Sequence, residues 1–427
     1  MDEKFFLKIS SDVVVRESDN KKVLLANVDN GNCIFISDEC YGILAQAALE
    51  HIDSKTLISS IYDENSKNYL EKLIYKLYEL KMFECTDTMV RAEDTKISID
   101  VTNRCNLKCK HCCVEAGENK RGNDLETNEL MYILKSVVEL NPQSISISGG
   151  EPLVRNDFEY FSNYLRQSYK GNLNLMTNGV LINENNAKLI AETYNSVDIS
   201  IDGVDENSCS LLRGKGIFNK IIRGIRLLQK YNCKNITGSM VLTRENYKLR
   251  ERFLDFCKNE LHIRGIVRLF EDVGRGKEYA DELMLNMDYY EDINKYKEYY
   301  IKNKLYKKKP RVFACQGGKR MFEINHSGNI YPCEALNSDE FLLGNIFEIP
   351  NLREFIEHRK YMFSEGNKNF EKLKPYNLDL CKECKNNVFC FNCVNQVKIF
   401  SENKDKLRTC KCNKQYYDLL WEDYEDI

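Results

Sequence analysis

Three cysteines, Cys105, Cys109 and Cys112, stand in the spacing C-x3-C-x2-C within DVTNRCNLKCKHCCVE (Asp100–Glu115). The stretch directly follows a strand-like run, Lys96–Val101, so the loop leaving that strand carries all three thiols to one place. A structural zinc calls for four protein ligands, and ferredoxin-type clusters use four cysteines. Three thiolates on a four-iron cubane leave one iron open to a small molecule. Zinc held by a different foursome, with Cys113 among them, is the other reading of the same residues; otherwise Cys113 is a small buried thiol.

Cysteine usage supports metal or redox chemistry. The chain has 18 cysteines in 427 residues but only 5 histidines, which disfavours His-rich zinc sites and leaves thiolate ligation. Such a count signals disulfides in a secreted protein and metal or redox centres in a reducing cytosol. The N-terminus, MDEKFFLKISSD, lacks the basic-then-apolar pattern of a signal peptide, and no apolar run reaches membrane-spanning length. A cytoplasmic protein with no membrane partner is expected. The formal net charge of −3 argues against a nucleic-acid partner.

The chain is long enough for two or three domains. In residues 1–90, Asp12–Glu17, Lys22–Val28 and Asn32–Ser37 read as strands, with DNG (Asp29–Gly31) as a hairpin turn. Asp38 is the expected cap of the following helix, and Lys67–Glu84 has apolar residues at helical spacing. A three-stranded sheet with three helices is a small winged-helix-like module. Residues 95–285 alternate strand and helix. The expected strands are Lys96–Val101, Ser144–Ser148, Asn172–Met176, Val197–Ile201, Ile236–Leu242 and Ile263–Leu269. Six βα units predict an α/β fold, a partial (β/α)6 TIM-like barrel with its chemistry in loops after the C-terminal strand ends. A linker helix is expected over 286–308, its basic end (Lys302–Arg311) solvated.

Residues 309–427 hold eight of the cysteines and little hydrophobic periodicity, the pattern of a segment folded around metal. Cys315 and Cys333 form C-x12-G-x4-C, with Gly328 as the glycine. Cys381, Cys384, Cys390 and Cys393 form C-x2-C-x5-C-x2-C, and Cys410 and Cys412 follow. A zinc ribbon explains C-x2-C pairs but not eight ordered cysteines.

With C-x3-C-x2-C after the first barrel strand, SGGEP (Ser148–Pro152) after the second, MTNG (Met176–Gly179) after the third and ISIDG (Ile199–Gly203) after the fourth, the chain resembles the radical S-adenosylmethionine (SAM) superfamily. The resemblance implies that the open iron on Cys105, Cys109 and Cys112 chelates SAM, and that one electron yields a 5′-deoxyadenosyl radical. It places Gly149, Gly150 and Glu151 at the SAM amino group, His111 near the adenine, and Ser200 and Asp202 near the ribose or carboxylate. Arg213 would pair with the carboxylate. LFEDVGRG (Leu269–Gly276) resembles the adenine-side loop.

The C-terminal cysteines resemble the SPASM extension with two auxiliary 4Fe–4S clusters, making three in all. Carried over, Cys315, Cys333 and Cys393 hold the first, and Cys381, Cys384, Cys390 and Cys410 the second. Cys412 is a further candidate for either. This chain has C-x2-C where the family's run ends in C-x3-C, and no cysteine in LYKKKPRVFA (Leu305–Ala314), so the first auxiliary cluster is expected to keep an open iron. The remaining cysteines are scattered and expected unligated.

Residues 1–90 resemble the leader-recognition domain of ribosomal-peptide maturases, which implies a precursor peptide whose leader adds a strand beside Asn32–Ser37 and whose core contains cysteine. The expected activity is thioether formation of the sactipeptide or ranthipeptide type, with an external low-potential electron donor. The alternatives are carbon–carbon or ether crosslinking, formylglycine-type oxidation, and a non-enzymatic iron–sulfur regulator.

Overall fold

The computed structural model describes residues 5–18, 21–84, 90–117, 124–285, 311–402, 410, 414, 417–418 and 420–421. The linker helix expected over 286–308 and Cys412 lie outside the described residues. Backbone contacts divide the chain into two units. One joins Met1–Thr88, Asp288–Gln316 and Glu371–Ile427. The other joins Met89–Met287 and Gly317–Phe370.

The first unit opens with an antiparallel sheet, ordered β1 (Val13–Glu17), β2 (Lys22–Asn27) and β3 (Cys33–Ser37). Asn27 shapes the β2–β3 turn: its Oδ1 accepts from the backbone N–H of Asp29 and Asn30 at 3.0 and 3.2 Å, and Gly31 takes φ +80. Three helices follow, α1 (Asp38–Leu49), α2 (Ser54–Ser59) and α3 (Glu64–Glu79). The cap expected at Asp38 is Ser37, whose Oγ accepts from Cys40 N at 3.1 Å. Asp38 falls in the first turn, where its charge suits the helix dipole. Alternation in the strands splits the sheet into two apolar faces. Val23, Leu25, Ile34 and Ile36 pack with the helices. Leu24, Ala26, Cys33 and Phe35 pack with Val388, Phe389, Leu420 and Trp421 from the far end of the chain. A local reading of residues 1–90 offers no sign of that second layer, because its members lie some 350 residues away.

The second unit runs β4 (Lys96–Asp100), α4 (Thr127–Leu140), β5 (Ser144–Ser148), α5 (Phe158–Ser168), β6 (Asn172–Thr177), α6 (Ala187–Thr193), β7 (Ser196–Ser200), α7 (Glu206–Arg213), α8 (Phe218–Lys230), β8 (Ile236–Leu242), α9 (Arg250–Asp255) and β9 (Arg264–Leu269). Strands β4 to β9 pair in parallel in chain order, as expected of a partial (β/α)6 barrel. Ile97, Ile99, Ile145, Ile147, Val197 and Ile199 are buried in the core. The intervening positions are polar and bond across strands: Asn174 Nδ2 donates to Ser146 Oγ at 3.3 Å, and Ser196 Oγ to Asn174 Oδ1 at 2.6 Å. Three short strands extend the sheet, β10 (Met321–Ile324) parallel to β4, then β11 (Asn329–Tyr331) and β12 (Gly344–Asn345) antiparallel. They bury Phe322, Ile324 and Ile330 in the barrel core. Strands this short carry too little period to be legible in sequence. Among the described residues no helix is long and apolar enough to cross a membrane.

Candidate metal centre and cofactor site

Cys105, Cys109 and Cys112 lie in the loop after β4, and three neighbouring loops clamp it. The SGGEP turn after β5 packs on its backbone: Gly150 N donates to Thr102 O at 2.7 Å, and Glu151 N to Arg104 O at 2.9 Å. A Cβ at Gly150 would stand 2.2 Å from Arg104 O, and one at Gly149, where φ is +130, 2.4 Å from Thr102 O. The two glycines thus serve a close approach between two stretches of backbone. Gly150→Ala is expected to push the cysteine loop out of place at a cost of about 1–3 kcal/mol. Differential scanning fluorimetry and iron content after reconstitution measure it; wild-type values in both refute the clamp.

The loop after β9 closes the other side. Arg275 Nη1 donates to Cys109 O at 2.9 Å, Arg275 N to Cys112 O at 2.9 Å, and its Nη2 reaches Ala116 O. Gly274 has φ +54, and a Cβ there would meet Cys113 O at 2.3 Å. On the chain's other flank Asp124 accepts from Thr102 Oγ1, Asn103 N and Arg104 Nε.

Donors surround the sulfurs themselves. Leu107 N points at Cys105 Sγ (3.4 Å), Asn178 Nδ2 at the same sulfur (3.7 Å), Arg213 Nη1 at Cys109 Sγ (3.7 Å) and Ala116 N at Cys112 Sγ (3.3 Å). Burial first, and then the charge of Glu151 and the neighbouring thiols Cys109 and Cys112, push Cys105 up to about 12. Burial also raises Cys109. Thiols crowded this way become thiolates when a cationic centre takes their charge. With N–H donors on three sulfurs, this donor set fits a three-ligand iron–sulfur cluster.

The expected cofactor residues are placed as follows. Glu151 is fully buried, and its carboxylate accepts from Thr177 Oγ1 (2.7 Å), Asn178 N (2.7 Å) and Leu153 N (3.2 Å). Two of these bonds tie the β5 and β6 loops together. Asp202, 1% exposed with φ +59, sits 2.6 Å from Arg213 Nη2 and 3.0 Å from His111 Nε2, and its Oδ1 accepts from Val241 N at 2.6 Å. Burial opposes its charge, but Arg213 and His111 hold its carboxyl well below the usual range. Arg213 faces both Asp202 and Cys109, which makes it a link between the loop after β7 and the cysteines. Ser200 ends β7, half-buried. Among the described residues, His111 Nδ1 and Arg213 Nε are buried without a hydrogen-bond partner, polar atoms of the kind a bound ligand satisfies.

Cys113 is exposed as a whole residue, while its thiol lies among protein atoms: burial first, then Cys112, Glu334, Asp100 and Glu323, raise it. That carboxylate group was not legible in sequence, since it joins the end of β4 to β10 and the loop after β11. Burial and Glu334 push Asp100 up to about 7. Glu334 itself accepts from Ser98 Oγ at 2.7 Å. Asn178 and Arg275 were also missed as sulfur-loop partners, although MTNG and LFEDVGRG contain them.

The C-terminal cysteines fall in different units. Cys381, Cys384, Cys390 and Cys410 belong to the first unit. There, after burial, Cys410 and Cys384 raise Cys381 to about 11, so these three thiols lie within electrostatic reach of one another. Cys315 and Cys393 belong to the first unit and Cys333 to the second.

Comparison with known proteins agrees with this geometry. Residues 99–257 match the radical SAM superfamily, and residues 315–385 match SPASM, an iron–sulfur cluster-binding domain. The mycofactocin maturase MftC of Mycolicibacterium smegmatis is 26% identical over 308 residues, 67% of this chain and 74% of the relative. An uncharacterised protein of Methanocaldococcus jannaschii is 32% identical over 263 residues, 58% of this chain and 87% of the relative. The crystal structure of Streptococcus suis SuiB bound to S-adenosylmethionine shares the fold at a TM-score of 0.55 and 19% identity, covering 92% of this chain and 96% of SuiB. SuiB has also been solved with its precursor peptide SuiA.

Proposed function

The chain belongs to the radical SAM superfamily and carries its SPASM extension, and from that premise we propose that this enzyme joins a cysteine sulfur to a carbon within a ribosomally made precursor peptide. Bound SAM and a reduced four-iron cluster would supply a 5′-deoxyadenosyl radical that takes a hydrogen atom from carbon. The chain's own residues bind and orient. Cys105, Cys109 and Cys112 would hold the cluster, with Asn178 and Arg213 donating to the sulfurs of Cys105 and Cys109. The Gly149–Gly150–Glu151 turn and Arg275 fix the loop that carries them. Asp202 holds Arg213 and His111 in place.

Three clusters complete the reading, the second auxiliary one on Cys381, Cys384, Cys390 and Cys410. Each thioether removes two hydrogens from the peptide, one as an atom and the other as a proton and an electron. That electron needs an acceptor, which the auxiliary clusters provide. The observation that favours sulfur chemistry is the absence of any cysteine in Leu305–Ala314, which, with Cys412 the other candidate for the place, would leave one iron of the first auxiliary cluster for the substrate's thiol. Leader recognition is supported by the β-β-β-α-α-α order of residues 1–90, by the exposed Tyr69 and Tyr75 of α3, and by the peptide relationships of MftC and SuiB.

Coexpression with a cysteine-containing precursor peptide and tandem mass spectrometry tests the proposal. The expected product has lost two hydrogens per crosslinked cysteine, and those thiols resist alkylation. Alkylatable cysteines beside altered Ser, Tyr or Trp would overturn the thioether reading in favour of carbon–carbon, ether or formylglycine chemistry.

A further inference from the structure

In the first unit, the face of the N-terminal sheet turned away from its helices carries two separate links to the C-x2-C-x5-C run. From β1, Arg16 Nε donates to Asn387 Oδ1 at 3.2 Å and its Nη2 to Lys382 O at 3.2 Å. Asn387, buried at 2% exposure, passes the contact on: its Nδ2 donates to Cys381 O at 3.0 Å. From β3, Phe35 meets the Trp421 ring edge-on at 5.0 Å. Trp421 Nε1 donates to Asn386 Oδ1 at 2.7 Å, and Asn386 O stands 3.5 Å from Cys390 Sγ. Two consecutive buried asparagines inside the cysteine run are thus gripped by two strands of the sheet. Arg16 also feels the charges of Glu383 and then Cys384.

We infer that this sheet is a wall of the second auxiliary cluster's seat, and that Arg16 is its positioning residue. The inference rests on the reading of Cys381, Cys384, Cys390 and Cys410 as that cluster's ligands. A forked guanidinium on Asn387 and Lys382 fixes the loop between two ligands, which a lysine cannot reproduce. Its positive charge stabilises the reduced, more negative cluster, so it raises the potential of that centre. Leader recognition and cluster retention then share one sheet: what disturbs β1 or β3 is felt at the cysteines.

The test uses the full-length enzyme reconstituted with iron and sulfide, in wild type, Cys384→Ala, Arg16→Gln and Arg16→Lys. Iron content, loss of iron to a chelator, and redox titration followed by electron paramagnetic resonance are the readouts. Cys384→Ala identifies the centre; if it leaves iron content and spectra unchanged, the ligand assignment falls, and with it the inference. With the centre identified, Arg16→Gln is expected to lower the midpoint potential of that cluster alone. It is also expected to speed that cluster's loss about tenfold, the scale of one charge-assisted hydrogen bond. Arg16→Lys, which keeps charge but not the fork, is expected to restore the potential but not the retention. An Arg16→Gln enzyme whose second auxiliary cluster titrates at the wild-type potential overturns the inference.

Discussion

Replacing Cys109 with Ala is expected to abolish 5′-deoxyadenosine production from SAM. The loss should exceed the roughly 10–100-fold that removing a group one shell farther from a metal costs. Cys109 is the middle thiol of the three, and its surroundings commit it: Arg213 Nη1 faces its sulfur and Arg275 Nη1 holds its carbonyl. Alanine keeps the carbonyl contact and removes only a small, buried sulfur, so the loop survives while the cluster loses one of three protein ligands. Cys113→Ala is the matched control. Its sulfur belongs to no assigned ligand set, so iron content and deoxyadenosine yield should stay near wild type. Liquid chromatography of the nucleoside products decides. Continued deoxyadenosine from Cys109→Ala would refute the assignment of the SAM-binding cluster.

Asp202→Ala should be the most destabilising single change near the site, by about 3–5 kcal/mol, the usual cost of stripping one partner from a buried ion pair. Both partners are deeply buried, Asp202 at 1% and Arg213 at 8% exposure. Without the carboxylate, Arg213 keeps its charge with only the Cys109 sulfur before it, and Val241 N loses its acceptor. Alanine also tolerates φ +59 less well than aspartate or asparagine. Asp202→Asn, which retains shape and the left-handed conformation, should be milder. Chemical denaturation of the second unit, followed alongside deoxyadenosine yield, measures both. Equal denaturation midpoints for wild type and Asp202→Ala would sink the idea that this carboxylate ties β7 to the cysteine loop.

The barrel was legible because each strand repeats a simple code. Ser144–Ser148 and Ile236–Leu242 were read from sequence with their observed bounds, since parallel strands are short apolar alternations punctuated by turns. The cysteine loop was legible for a different reason, its fixed spacing. Roles of single polar residues were less so. Arg213 reads as a partner for a ligand carboxylate, and folding also sets it against Asp202. Glu151 reads as an acceptor for a ligand, and three donors of the chain already bond it. Both differences have one cause: a buried charge takes whatever partner the fold brings within reach, and sequence distance does not reveal that partner.

The sequence by itself determined the chemistry available to this protein: three thiols after the first barrel strand, GGEP after the second, and an ordered cysteine series behind them. Ligand type and local spacing are covalent facts, unchanged by folding. Only the tertiary structure decided which groups surround those thiols. It set Asn178, Arg213 and Arg275 around the cluster loop, gathered Asp100, Glu323 and Glu334 beside Cys113, and covered the N-terminal sheet with Trp421. Those neighbours come from residues up to hundreds of positions apart, because what places them is burial of apolar surface, which depends on distance in space and not along the chain.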